Sequence, residues 1–547
     1  EPMDMWLSGD EPQGPWIQYE FNKVHKLHQM WVWNSNQIFE SLFGFGMKDV
    51  TIEYSTDGTA WTALADVPQF TKAPGAAGYA HDTTVDFSGA VAKYVKLTAT
   101  SNWGGILPQY GLSEVRFFSI PVGAREPSPD TGAADVNPAV ILSWRVGREA
   151  ATHDVYISSD EQAIIDGTVP AVSVTEASYS TDLDLADTYF WRIDEVNDAE
   201  TPATWQGDVW SFSTPEYLVV DDFESYNDID PPDPESNRIF ESWSDGFGVA
   251  TNGALVGNDF PPYLETTIVH DGAQSMPVFY SNTGGAVSSE ITRTFAPGQD
   301  WTKHGIQTLV LYFQGIPGNT GQLYIKVNGV KVSYPGDAAN LARLIWTQWT
   351  IDLASLGVNL TSITSLAIGI DGNGAAGTLY VDDIVLYRFA PPAPTSQIYL
   401  EAEAGTITAP LKTYSDPLAS GGSYIGTDDG TGDENSAPPA TGVATYNFTA
   451  EGGVYTISLR VIITGGSNSF WVRIPGATNY APGTHSTGWI RFNDISDGAD
   501  WHWDDVHSND HNNQVVSITV PAGPHTLEIA RREDGTLLDA IVISKVD

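Results

Sequence analysis

Apolar and polar positions alternate through nearly the whole chain and are interrupted about every ten residues by Gly, Asn, Asp or Pro, whereas 3.6-residue periodicity is almost absent. In VTIEYSTDGTAWTAL, Val50, Ile52 and Tyr54 alternate with polar residues before Asp57 and Gly58 turn the chain. The runs YVKLTAT around Tyr94, LYIKVNG from Leu323 and YTISLRVI from Tyr455 repeat the pattern. Short alternating strands separated by turn residues predict an all-β protein built of sandwiches. Punctuation falls at PVGAREPSPDTG (121–132), at TPEYL around Pro215 and at the stiff, Pro-rich FAPPAPTSQ (389–397). Four tandem β-sandwich domains are therefore expected at 1–120, 121–215, 216–389 and 398–547.

Length agrees, since 547 residues at roughly 150 per domain allow three to four separate cores. Acidic residues number 69 against 25 basic, a formal net charge of −44. That balance excludes a nucleic-acid binder, because neutralising phosphates needs clustered Lys and Arg. The absence of Cys removes disulfides, thiolate metal sites and Cys nucleophiles from consideration. No apolar run reaches the 18 or more residues of a membrane span. The chain opens at Glu1 with no basic segment followed by an apolar one, and is read as mature, extracellular protein whose signal peptide has been removed.

The third and fourth domains share a pattern of paired acids. VVDDFESY carries Asp222 and Glu224 around Phe223, and YLEAEAG carries Glu401 and Glu403 around Ala402, each pair expected on one strand face. The closing strands match as well, with Asp382 in GTLYVDDIVLY and Asp539 in GTLLDAIVISK. If first and last strands are neighbours, Asp222, Glu224 and Asp382 converge, as do Glu401, Glu403 and Asp539. Three carboxylates in contact require a cation, and an all-oxygen donor set selects Ca²⁺. The alternative is that these acids face water on edge strands.

Residues 1–120 resemble the discoidin-type (coagulation factor 5/8 type C) domain through MWLSGDEPQGPWIQYEF, KLHQMWVWN, VTIEYSTDGTAW, AKYVKLTAT and YGLSEVRFF. The resemblance implies a galactose-binding-like sandwich, here lacking its first strand, that binds sugar through loops carrying Asn36, Phe39, His81, Trp103 and Tyr110. It also implies a structural Ca²⁺ with Glu114 among its ligands. Residues 127–214 resemble a fibronectin type III-like sandwich through LSWRVGREAATHDVYIS, TYFWRIDEVND and VWSFST, which implies a spacer with Trp144 and Tyr189 in its core. Residues 216–389 look like a jelly-roll carbohydrate-binding module, with DDFE at the start and VDDI at the end. Residues 398–547 are similar to carbohydrate-binding module families 6 and 35 through EAEAG, GGSYIG, GGVYTISLRV, SFWVRI, DWHWDD, PAGPHTLEIARRE and LLDAIVI. Where that family carries a second aromatic and a ligand Asn, this chain has Thr427 and Leu537.

Sugar recognition needs flat aromatic surface for C–H faces and planar polar groups for hydroxyls. Trp501 and Trp503 lie on one side of a strand and are the first candidates, followed by Trp103, His81 and Tyr324. In LYIKVNG the outward set is Tyr324, Lys326 and Asn328, and in LVLYFQG it is Tyr312 and Gln314, which make either a concave platform or a solvated sheet face. His502, His507 and His511 in WHWDDVHSNDHNN form either a transition-metal site or a polar loop. No GxSxG elbow, HExxH or phosphate loop announces an enzyme. The expected function is a non-catalytic extracellular carbohydrate-binding or adhesion protein with structural calcium, whose partner is a polysaccharide. The alternative is a self-assembling matrix, filament or surface-layer subunit, polymerising through an unpaired edge between Trp6 and Tyr19.

Overall fold

The computed structural model describes residues 5–9, 14–392, 397–428, 430–463, 468–482 and 488–546. Residues 10–13 of the first quoted run and 393–396 of the Pro-rich linker lie outside the described residues. The protein is all-β, and its chain divides into two compact units, 1–183 with 187–215, and 184–186 with 216–547.

In the first unit, seven strands between Trp6 and Ile120 form one antiparallel sheet ordered Trp6–Leu7, Gly111–Ile120, Trp16–Asn34, Val91–Asn102, Met47–Ser55 and Thr62–Ala63, with Thr83–Asp86 paired to Trp16–Asn34. Period-two alternation sends Met30 and Val32 into the core and Trp31 and Trp33 to the opposite face. Each described segment of the edge expected to lie open between Trp6 and Tyr19 has a partner strand of this chain on one side, and Trp6–Leu7 is the terminal strand of the sheet. Trp6 pairs with Leu112, Trp16 with Thr98 and Tyr19 with Val95. The strand that supplies the first of these partners lies about a hundred residues downstream, out of reach of local pattern reading.

Residues 125–213 of this unit form two further sheets, ordered Val172–Val174, Thr152–Ser158, Thr188–Val196, Thr204–Trp205, and Ser178–Asp182, Ala139–Arg145, Arg125–Ser128. Trp144, Trp191 and Trp210 fill the core between them, Trp191 and Trp210 edge to face at 4.8 Å, with Tyr189 packed against Phe212 at 6.1 Å. Lys26 of the first sheet reaches into this region. Its ammonium donates to Glu149 at 2.6 Å and Glu200 at 3.1 Å, and these carboxylates, Glu149 first, hold it protonated above the usual lysine range against the opposing effect of burial.

In the second unit, residues 217–387 make a two-layer sandwich. One sheet runs Ala254–Val256, Met276–Ser281, Ala376–Tyr387, Thr308–Gly315, Thr347–Asp352, with Tyr217–Asp221 also on Ala376–Tyr387. The other runs Trp243–Ser244, Ser288–Gln299, Ile363–Asp371, Gln322–Val327, Val330–Ser333. Leu309, Leu311 and Phe313 face Leu323, Ile325 and Val327 across the core. Residues 397–545 fold around the 21-residue strand Val443–Ile463, which pairs with Ser517–Arg531, Leu537–Lys545 and Gly498–Asp505. Ile457, Leu459 and Val461 meet Ile541 and Ile543 inside, so Ser458 and Arg460 lie on the other face.

Candidate functional site

The two glutamates at the start of the last sandwich do not share a strand face: the chain leaves the strand between them. The strand Gln397–Glu401 stops at Glu401, opposite Ala540, and a short 3₁₀ turn Ala402–Ala404 carries Glu403. Buried Ala402 accepts a hydrogen bond from the Tyr446 hydroxyl at 2.8 Å, which pins the turn. Asp539 is fully buried on the neighbouring strand and pairs with the Arg460 guanidinium. Ser420 donates to Glu401 Oε1 at 2.8 Å. Gly421, at φ +63°, brings its backbone so close that a Cβ there would lie 2.8 Å from Glu403 Oε1 and 3.8 Å from Glu401 Oε2. Among the described residues, Glu401 Oε2, Glu403 Oε2 and Asp539 Oδ1 are buried and have no hydrogen-bond partner. Burial, reinforced by the negative charges of Glu403 and Asp539, pushes the Glu401 carboxyl up to about 7. Burial also raises Glu403 and Asp539, in the latter case against the Ser420 backbone N–H and Arg460. As they stand, no three His, Cys, Asp or Glu side chains among the described residues form a group that holds a metal ion.

Trp501 and Trp503 project from one side of the strand Gly498–Asp505, both half-buried. Trp501 donates through Nε1 to Asp416 Oδ2 at 2.9 Å, meets Tyr424 edge-on at 5.2 Å and lies under the Arg460 guanidinium at 5.7 Å. Tyr424 in turn stacks on Tyr414, 5.3 Å away at 14°. The three rings make a contiguous aromatic row bordered by Asp416, Arg460, Lys412 and Asp428. Sequence reasoning missed both tyrosines. The signal was the alternation in KTYS and SYIG, whose antiparallel pairing places Tyr414 opposite Tyr424.

The acids of the preceding sandwich behave differently. The strand Tyr217–Asp221 ends before Asp222, and Phe223 takes a left-handed conformation with φ 62°, so Asp222 and Glu224 do not share a strand face. Glu224 Oε1 accepts from the backbone of Ala273 and Gln274 at 2.9 and 3.0 Å. Asp382, fully buried, accepts from the backbone of His270 at 2.9 Å and Asp383 at 3.0 Å. Loop 270–274 thus satisfies Glu224 and Asp382 with protein donors, and these residues do not fit a cation cage. A second buried acid here is Asp221, which the sequence reading passed over. It takes hydrogen bonds from Tyr226 (2.8 Å) and Trp243 (2.7 Å) and pairs with Arg293. Tyr324 is also corrected. It faces outward as its period demands, yet it is 1% exposed, with its hydroxyl on Glu290 at 2.7 Å and Lys331 capping its ring at 3.7 Å. Gln314 on the other sheet is likewise buried, while Tyr312 is half-exposed.

In the N-terminal sheet, His81 lies flat on Trp31, 4.0 Å away at 4°, and Arg116 covers Trp33 at 4.9 Å. Trp103 is anchored through Nε1 to the Phe70 carbonyl at 2.8 Å under Lys48. Its neighbour Gly104 admits the chain itself, since a Cβ there would lie 1.7 Å from the Phe43 carbonyl oxygen. Glu114 is exposed and paired with Arg116 at 2.6 Å, which does not fit a metal ligand. Asn36 holds the backbone at Gly75 and Ala76, Tyr110 is in the core, and Phe39 alone of the expected loop set is largely exposed, at 61%.

His502, His507 and His511 spend their ring nitrogens on local partners. His502 meets the carbonyls of Asp500 and Ser496, His507 those of Asp505 and Asn493, and His511 the Ser508 hydroxyl. His507 is held above the usual histidine range by Asp504 first and then by the two carbonyls, against desolvation. Asp504 feels burial most, which would raise it, but His507 and the Ser496 N–H outweigh this and hold it low. A raised folded-state value means stabilisation that is complete below the ordinary histidine range and disappears as pH rises through the raised one. Melting curves of the parent and His507→Gln between pH 5.5 and 9 are expected to differ most at the acidic end and converge at the basic end. A constant gap would show that the imidazolium contributes nothing.

Residues 2–108 match the family model of the F5/8 type C domain. No curated protein matches. Among solved structures, similarity extends to the family 11 carbohydrate-binding module of the cellulosomal cellulase Lic26A-Cel5E of Clostridium thermocellum, at 16% identity over 31% of this chain and 94% of that one, with a TM-score of 0.21. It extends also to the GH26-CBM35 β-(1,4)-mannanase of Podospora anserina, at 15% identity over 28% of each chain and TM-score 0.20. The CBM22-1–CBM22-2 tandem of Paenibacillus barcinonensis Xyn10C is 12% identical over 56% of this chain and 94% of that one, with TM-score 0.19. The chain spans little more than a quarter of the mannanase.

Proposed function

We propose that this chain is a non-catalytic, extracellular carbohydrate-binding protein in which a spacer of fibronectin type III-like form separates an F5/8 type C domain from two carbohydrate-binding sandwiches. The observation that carries this reading is the row Trp501–Tyr424–Tyr414. It offers flat apolar faces beside a carboxylate–guanidinium border, the pairing that sugar C–H faces and hydroxyls require. Calcium belongs to the same reading. Glu401, Glu403 and Asp539 would hold it, and the ion would add positive charge to that of Arg460 beside three carboxylates that each keep one buried, unpartnered oxygen.

The test is retention on immobilised plant and microbial polysaccharides, followed by calorimetry with the best oligosaccharide. Trp501→Ala is expected to cost about 2 kcal/mol, roughly a thirtyfold loss of affinity. Failure to retain on any polysaccharide, or equal affinity in parent and variant, overturns the assignment of this row.

A further inference from the structure

Trp503, two residues from Trp501, serves a different place. It lines a cleft of about 420 Å³ between the two sandwiches of the second unit, within the size range of ligand sites. The opposite wall is Tyr312, Trp346 and His270. The His270 ring stacks on Tyr312 at 3.7 Å and 19°, meets Trp346 edge-on at 5.7 Å, and is fixed through Nδ1 to Asp383 at 2.6 Å. Trp503 is itself braced edge-on by Tyr399 at 6.4 Å.

The lining chemistry is unlike the rest of the surface. In a chain with 69 acidic residues, none of the cleft's twelve lining residues is Asp, Glu, Lys or Arg. Polar groups come instead from glutamine amides, serine hydroxyls and an imidazole. Gln314 and Ser544 make no side-chain hydrogen bond among the described residues, so an amide and a hydroxyl stand unspent beside the rings. Aromatic faces on both walls, neutral hydrogen-bonding groups between them and no Asp, Glu, Lys or Arg in the lining match one ligand chemistry, an uncharged polyhydroxylated ring, the carboxylates of Asp383 and Asp505 behind the lining being engaged by His270 and Ser458. The cleft is open, which accommodates the interior of a chain as well as its end.

We propose that this cleft binds a neutral polysaccharide chain, with Tyr312 and Trp346 on one wall and Trp503 on the other gripping the same stretch of sugar. The proposal rests on the carbohydrate-binding reading and adds two things to it: the ligand is uncharged, and the two sandwiches bind it jointly.

The experiment uses the full chain and calorimetric titration with neutral β-1,4-linked gluco-, xylo- and manno-oligosaccharides from two to six units, with polygalacturonate as the charged comparator. Affinity for one neutral series is expected to climb with length, and polygalacturonate is expected not to bind. Trp503→Ala and Trp346→Ala are each expected to weaken binding at least about tenfold. The double variant is expected to lose little more than either single one, because losing one wall already frees the chain from the other. Trp503→Tyr, which keeps a ring, is expected to restore most of the affinity, and matched melting curves separate binding from folding. Retained oligosaccharide binding in both alanine variants, strictly multiplicative losses, or equal binding of polygalacturonate each overturns the joint neutral cleft while leaving the broader function standing. Absence of any glycan binding by the parent overturns both.

Discussion

Asp221→Ala is expected to destabilise the 216–389 sandwich by about 3–5 kcal/mol, the range for breaking a buried ion pair from one side. Asp221 is 4% exposed and gathers four donors: the Phe223 backbone, the Tyr226 hydroxyl, the Trp243 indole and the Arg293 guanidinium. Alanine leaves an uncompensated cation and two buried polar groups, and each unsatisfied donor carries its own desolvation cost of about 1–3 kcal/mol. Because the Arg293 side chain is 24% exposed, water recovers part of the loss, and the lower half of the range is the expected result. Pairing Asp221→Asn with Arg293→Met, which removes both charges, is expected to cost less than Asp221→Ala alone. Denaturant unfolding checks both. A single-variant loss under 1 kcal/mol would show that the cluster is not structural.

Calcium is expected to raise the melting temperature of the 398–547 sandwich, and a chelator to reverse it. At a thousandfold excess over its dissociation constant an ion that binds only the folded state adds about 4 kcal/mol. The pH dependence follows from Glu401. Without the ion its carboxyl is pushed up to about 7, so the folded state holds a proton that the unfolded chain releases in the ordinary carboxylate range. Ion-free stability therefore falls as pH rises from that range to about 7, and the calcium increment grows over the same interval as the ion displaces the proton. Glu403→Gln removes a ligand without stranding Arg460. It is expected to abolish most of the calcium shift and leave melting in chelator unchanged or slightly raised. Identical melting with and without chelator from pH 5 to 8 would refute the site.

What could be read from the sequence depended on whether period or partner decided the outcome. The all-β fold and the shared side of Trp501 and Trp503 follow from a two-residue period, which is local. So does the inward set Leu323, Ile325 and Val327. The doubled acid motif put Glu401 and Glu403 on one strand face, whereas the chain turns into a 3₁₀ segment after Glu401 and carries Glu403 there. Asp221 escaped because DD offers two equivalent residues and the strand end decides which is buried. Tyr324 was placed on the correct face, but Lys331, supplied by the adjacent strand, closes over it. The pairing of Trp6 with Leu112, and of Tyr414 with Tyr424 across a loop, joins segments whose proximity only the folded chain creates.

Lys26 carries a mechanical consequence. Rotation between the first sheet and the 125–213 region would pull its ammonium away from Glu149 and Glu200 and leave a nearly buried charge without its partners, a cost that opposes torsion at that joint.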